Sequence, residues 1–195
     1  MNSEKRKIIL GIDPGTRILG YGLVMVNGKS AEYLDMGVID LKKESDHFKK
    51  LQRISEEVTS IINKYKPDEL AIEAPFYGKN PQVMLKLGRA QGAAIASALL
   101  KNLPIYEYAP RSIKLTITGK GAASKEQVAM MVKTLLKIDI NSKYLDATDA
   151  LAIAMCHNIC TSNNYQGTST SKNSSNSKST SWENFVKNNP QRVKK

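Results

Sequence analysis

Four acidic side chains stand where an acid is costly or conspicuous. Asp13 closes the apolar run IILGID, just before Pro14 and Gly15, and Glu73 lies inside the apolar segment LAIEAP. Asp146 and Asp149 stand three apart in YLDATDALAIA, a spacing that puts both on one face of a helix. Some have ordinary readings. An aspartate before Pro-Gly forms turns, and Asp146 suits a helix N-terminus. Glu73 resists such a reading, because a carboxylate in a buried strand is costly without a partner, and the sequence offers it no fixed basic one.

Gathered in one pocket, the four would repel one another and resist ionisation. Divalent cations remove that penalty. Ligands that are all oxygen select a hard ion, Mg²⁺ or Mn²⁺. Two such ions about 3.5–4 Å apart clamp a phosphodiester between attacking water and leaving oxygen. The net charge supplies a partner for that chemistry. With 29 Lys and Arg against 18 Asp and Glu, the chain carries +11 and a pI of about 9.6, the electrostatic footprint of a polyanion binder. A basic protein with an all-carboxylate metal site points to phosphoryl transfer on nucleic acid.

The elements that must position these acids follow from pattern. KIILGID, GYGLVMV and AEYLDMGVID read as three strands, with NGKS as a hairpin signal between the last two. Residues 46–65 form a helix whose apolar stripe runs Phe48, Leu51, Ile54, Val58, Ile61, Ile62, Tyr65. ELAIEAP is a buried strand. Residues 81–101 form an Ala-rich helix whose Gly88 and Gly92 let another backbone approach, either the sheet or a second subunit. PIYEYAP is a short strand. A segment with Lys114 and a Gly-rich turn come next. Ser124 then opens a helix with Gln127 completing a capping box, and a last helix runs from about Tyr144 to Ile159. The order β-β-β-α-β-α-β-α-α predicts a mixed α/β sheet with helices on its faces. From Thr161 the chain turns to Ser, Thr and Asn and cannot bury enough surface to order itself. The expected division is a domain over 1–160 and a flexible basic tail over 161–195. Two cysteines, Cys156 and Cys160, make no disulfide framework, and no early apolar run is long enough for a leader or a membrane span. A cytoplasmic protein is expected.

The segments GIDPGTRILGYG, AIEAPFYGKN and LDATDALAIA, with LKLGRAQGAAIA, PRSIKLTITGKGAASKEQV and MVKTLLK between them, resemble the RuvC family of Holliday junction resolvases in the same order. The resemblance covers roughly residues 7–160. It implies an RNase H-like fold and a homodimer with one Mg²⁺-dependent site per subunit, holding two ions, with Mn²⁺ as a substitute. It implies endonuclease activity on four-way junction DNA by paired symmetric nicks, in recombination and repair, together with the RuvA–RuvB branch-migration complex. Asp13, Glu73, Asp146 and Asp149 match the catalytic acids, and Lys114 and Lys125 match basic positions near the DNA. Phe76 matches an aromatic that stacks at the junction centre, and Gly88 and Gly92 lie on the helix that resembles the dimer contact. Two rivals remain: an RNase H-like nuclease for another nucleic acid, and a non-catalytic junction-binding module. An actin-like ATPase, which GIDPGT alone would allow, needs two lobes, more than about 160 residues supply.

Overall fold

Period-two alternation in the strands decides which side chain meets which helix layer. The computed structural model describes residues 6–28, 30–75, 80–139 and 145–164. Its strands are β1 (Lys7–Asp13), β2 (Ile18–Asn27), β3 (Ser30–Asp40), β4 (Glu69–Glu73) and β5 (Ile105–Tyr108). Its helices are α1 (His47–Tyr65), α2 (Pro81–Leu99), α3 (Pro110–Thr118), α4 (Lys125–Leu136) and α5 (Leu145–Asn164). The sheet order is β3-β2-β1-β4-β5. β1 runs antiparallel to β2 and parallel to β4; β2–β3 is an antiparallel hairpin, and β4–β5 is parallel. Gly28 takes φ 59 in the hairpin turn, a conformation open to glycine at no steric cost.

Two apolar layers sandwich this sheet. Leu10 and Ile12 of β1, with Leu70 and Ile72 of β4, pack among Ile54, Val58 and Ile62 of α1 and Ala90, Ala94 and Ala98 of α2. Ile9 and Ala71, of opposite parity, pack among Ile113, Val128, Val132, Leu151 and Ile153 of α3, α4 and α5. The mixed sheet and its two helix layers agree with expectation.

Three details differ from the sequence reading. The segment around Lys114 is itself a helix, α3, with Pro110 in its first turn and Gly119 as a left-handed cap at φ 74. Its fixed proline φ suits a helix start, and Ile113 and Ile117, one turn apart, anchor it. Phe48 belongs to the predicted stripe of α1 but is 71% exposed, and full burial begins only at Ile54. The last helix runs on to Asn164, past the expected boundary at 160.

α5 lies closer to the sheet than ordinary side chains permit. A Cβ on Gly11 would stand 2.1 Å from the Ala150 carbonyl oxygen; one on Gly20 would stand 2.1 Å from that of Asp146; one on Gly22 would stand 2.7 Å from the Leu151 nitrogen. Glycine within a strand marks such a close backbone approach. Small residues on the helix, Ala147, Ala150 and Ala154, are wholly buried.

At the far end of α5, His157 is 0% exposed. Its Nε2 lies 2.7 Å from Glu69 Oε2 and its Nδ1 lies 2.6 Å from the Tyr108 hydroxyl. Lys7 Nζ donates to the same Glu69 oxygen at 2.6 Å. With both His157 ring nitrogens engaged by protein groups, the Cys156–His157–Cys160 run reads as core. Among the described residues, no helix is long and apolar enough to cross a membrane.

Candidate active site

The register assembles the acids. β1 and β4 are paired as Gly11↔Ala71 and Ile12↔Ile72, so Asp13 and Glu73 end neighbouring parallel strands side by side. Both share the parity of Ile9 and Ala71, which face α5. Sites outside the carboxyl ends of parallel strands are the rule in open α/β sheets. α5 brings Asp146 and Asp149 over the same end within its first turns. Carboxylate oxygens of Asp13, Asp146 and Asp149 all lie within 4.8 Å of one another, and the Glu73 side chain is hydrogen-bonded to Asp13. Three acids thus form a ready cluster, and the fourth joins it through Asp13.

The electrostatics follow from crowding. Burial, then the charge of Glu73, pushes Asp13 up to about 8. Burial also raises Glu73. Asp149 rises too, again through burial, although Lys125 works against the rise. Lys125 Nζ lies 2.6 Å from Asp149 Oδ2 and 3.9 Å from Asp146 Oδ1. Burial alone would lower Lys125, and its bond to Asp149 outweighs that and raises it. Lys125 opens α4, which is fixed in place by the Ser124–Gln127 capping box. Lys114, from α3, lines the same cleft of about 80 Å³ with Glu73, Lys125 and Asp149, above apolar Ile113 and Val128.

The donor set fits hard divalent cations. It is all carboxylate oxygen, partly buried, and the raised pKa values of Asp13, Glu73 and Asp149 record a missing counter-charge. Two lysines are too little positive charge for four acids. Such a site can bind cations and, through them, a phosphate.

The sequence-predicted residues sort as follows. Asp13, Glu73, Asp146 and Asp149 come together, and Lys114 and Lys125 stand beside them. Gly88 and Gly92 do not pack on the sheet; among the described residues, a Cβ on either would meet nothing within 4 Å. Of the two readings of that stripe, packing on the sheet is therefore wrong. Phe76 and the chain beyond 164 lie outside the described residues. Sequence reasoning missed Gly11, Gly20 and Gly22. Their signal was present: alternate glycines in GYG bare one face of a strand, and ALAIA offers a helix surface thin enough to fill it.

Comparisons with known proteins bear on this geometry. The family model described as "Crossover junction endodeoxyribonuclease RuvC" matches residues 9–157. A protein of that name from Bacteroides fragilis is 51% identical over 97% of each chain. One from Cytophaga hutchinsonii is 49% identical over 99% of this chain and 92% of its own. Among solved structures, Thermus thermophilus RuvC in complex with Holliday junction substrate matches with a TM-score of 0.75 at 30% identity, covering 81% of this chain and 96% of the other. The yeast mitochondrial Holliday junction resolvase Ydc2 shares the fold, with a TM-score of 0.59 at 16% identity, over 82% of this chain and 81% of its own.

Proposed function

This chain belongs to the RuvC family of crossover junction endodeoxyribonucleases, and from that premise we propose that it resolves four-way DNA junctions by paired, symmetric nicks in recombination and repair. The observation that carries this reading is the convergence of the four acids at one sheet end, beside a cleft with two lysines.

In this reading Asp13, Glu73, Asp146 and Asp149 are the catalytic acids and hold Mg²⁺, two ions per subunit, with Mn²⁺ able to substitute. Asp13 is the shared donor, because it contacts Glu73 on one side and the α5 pair on the other. Bound cations supply a Lewis acid for the phosphate and an acidified water as nucleophile. With cations bound, the acids would hold the attacking water in line with the scissile bond, so that hydrolysis would leave a 5′-phosphate and a 3′-hydroxyl. Lys125, held at Asp149 by a 2.6 Å ion pair, would be available to the phosphate with cations on the acids. The N-terminus of α4 adds partial positive charge at the same point. Lys114 binds the DNA backbone from the other wall of the cleft.

Assembly completes the reading. Two sites acting on opposing strands require a homodimer, and the open Gly88–Gly92 stripe of α2 is its seam. Val83, Leu85 and Leu99 are also exposed on α2, as an uncovered interface requires. Phe76 stacks on an unpaired base at the junction centre, and the RuvA–RuvB complex presents the junction in the cytoplasm.

The test is cleavage of three substrates: a four-way junction, a linear duplex of the same sequence, and an RNA–DNA hybrid. The expected result is paired nicks in the junction alone, abolished by chelator and restored by Mg²⁺ or Mn²⁺. Equal cutting of duplex or hybrid, or cutting without divalent metal, overturns the reading.

A further inference from the structure

One polar side chain on the sheet-facing side of α2 has no role in metal binding and no need to be polar for packing. α2 covers the sheet with Ala90, Ala94 and Ala98, yet Gln91 sits among them at 6% exposure. Burying an amide costs free energy unless it is hydrogen-bonded. Its Nε2 donates to the Glu73 carbonyl oxygen at 3.2 Å and to Glu107 Oε1 at 2.8 Å. The two acceptors fix the orientation of the amide, since only an NH₂ group can donate to both.

Those two bonds fall at a critical point in the chain. Glu73 is the last residue of β4. On its far side the Ala74 nitrogen donates to the Tyr108 carbonyl of β5 at 2.9 Å, and Pro75 follows. The Glu73 carbonyl points away from that bond and is taken by Gln91. Together the two contacts clamp the peptide that carries the carboxylate, one from β5 and one from α2. Through Glu107 the same amide ties α2 to β5 as well.

We infer that Gln91 is a positioning residue of the cleavage reaction: it holds the Glu73 backbone so that the Glu73 carboxylate keeps its place against Asp13. The inference rests on the reading of Glu73 as a metal ligand. It also makes α2 serve two ends, since Gly88 and Gly92 of the proposed dimer seam flank Gln91 on the same helix. A displacement of order 1 Å at such a ligand costs about 100-fold in rate.

The test uses the full-length protein and two variants. Gln91→Met keeps the volume and removes both donated bonds. The double variant Gln91→Glu with Glu107→Gln restores the 91–107 bond with reversed polarity, but leaves the Glu73 carbonyl without its donor. Both variants should cleave a four-way junction about 10- to 100-fold more slowly at saturating Mg²⁺. Both should need more Mg²⁺ for half-maximal rate and should bind junction in chelator as tightly as the parent. The double variant separates positioning from bracing: if it cleaves at the parental rate with the parental Mg²⁺ requirement, the inference is overturned, even if Gln91→Met unfolds. Glu73→Gln, assayed alongside, tests the underlying reading. If Glu73→Gln cuts normally, the site assignment fails; if it is dead while both Gln91 variants cut normally, only the present inference fails.

Discussion

Glu69 and Glu73 sit on the same strand, share a face, and lie four residues apart under one helix, yet the fold treats them in opposite ways. At Glu69 burial pulls the pKa up, but hydrogen bonds from Lys7 and His157 outweigh it and hold the carboxyl below its ordinary value. At Glu73 burial wins and the pKa rises. Its nearest partner is Asp13, itself raised to about 8. The first carboxylate has its counter-charge built into the chain. The second is crowded with like charges and left short of cations. The difference separates a structural ion cluster from a site awaiting ligands, and electrostatic deficit of this kind marks functional positions.

The largest expected effect is on Asp13. Asp13→Asn should lower junction cleavage by at least about 10²–10³-fold, while the metal-free protein melts higher because repulsion is relieved. Normal cleavage in Mg²⁺, or a lower metal-free melting temperature, would break the contrast. Gly11→Ala comes next. Its Cβ would collide with the Ala150 carbonyl at 2.1 Å, and both groups are backbone, so about 3 kcal/mol or more of stability should be lost, with cleavage falling as α5 is pushed off; denaturant melts and rate assays check both. Glu69→Gln should behave as the mirror of Asp13→Asn. Leaving His157 and Lys7 without their carboxylate should cost about 1–3 kcal/mol in denaturant melts, with cleavage per folded molecule unchanged.

The smallest effect is a slope. Raised carboxylates mean that the folded, metal-free protein retains protons that the unfolded chain has released. Stability from this end is therefore present at low pH and lost as pH rises from the ordinary aspartate value of 3.8 toward the Asp13 value of about 8. The other end has the opposite sign. Glu69 is lowered, and His157 is lowered mainly by burial, so their contribution is lost as pH falls. Between about pH 6 and pH 8 the metal-free melting temperature should decline, and saturating Mg²⁺ should flatten the curve by replacing the protons. Parallel curves with and without metal would show that the cations bind elsewhere.

The sequence made the acids legible because their cost is local: a Glu in an apolar strand or a pair of Asp three apart can be weighed without knowing the fold. The resemblance then tied them together. Helix ends were legible for the same reason, as the Ser124–Gln127 box shows. Parity was not. Whether Glu73 faces α5 or α2 depends on register against β1, which only tertiary pairing sets. α3 was hidden because its nine residues carry Ile113, Leu115 and Ile117 at alternate positions, a spacing that does not single out a helix. Gln91 was quoted within a motif, yet nothing in its neighbours says that its amide reaches a strand end.

The glycine floor beneath α5 has a bearing on how such a centre keeps its dimensions over time. Where a helix rests on side chains, every core substitution changes the thickness of the cushion. Here Gly11, Gly20 and Gly22 remove the cushion, and main chain rests on main chain. The gap between the helix-borne aspartates and the strand-borne acids is then gauged by peptide units, whose size no mutation alters. The spacing at the head of the helix then does not depend on how side chains beneath it are packed.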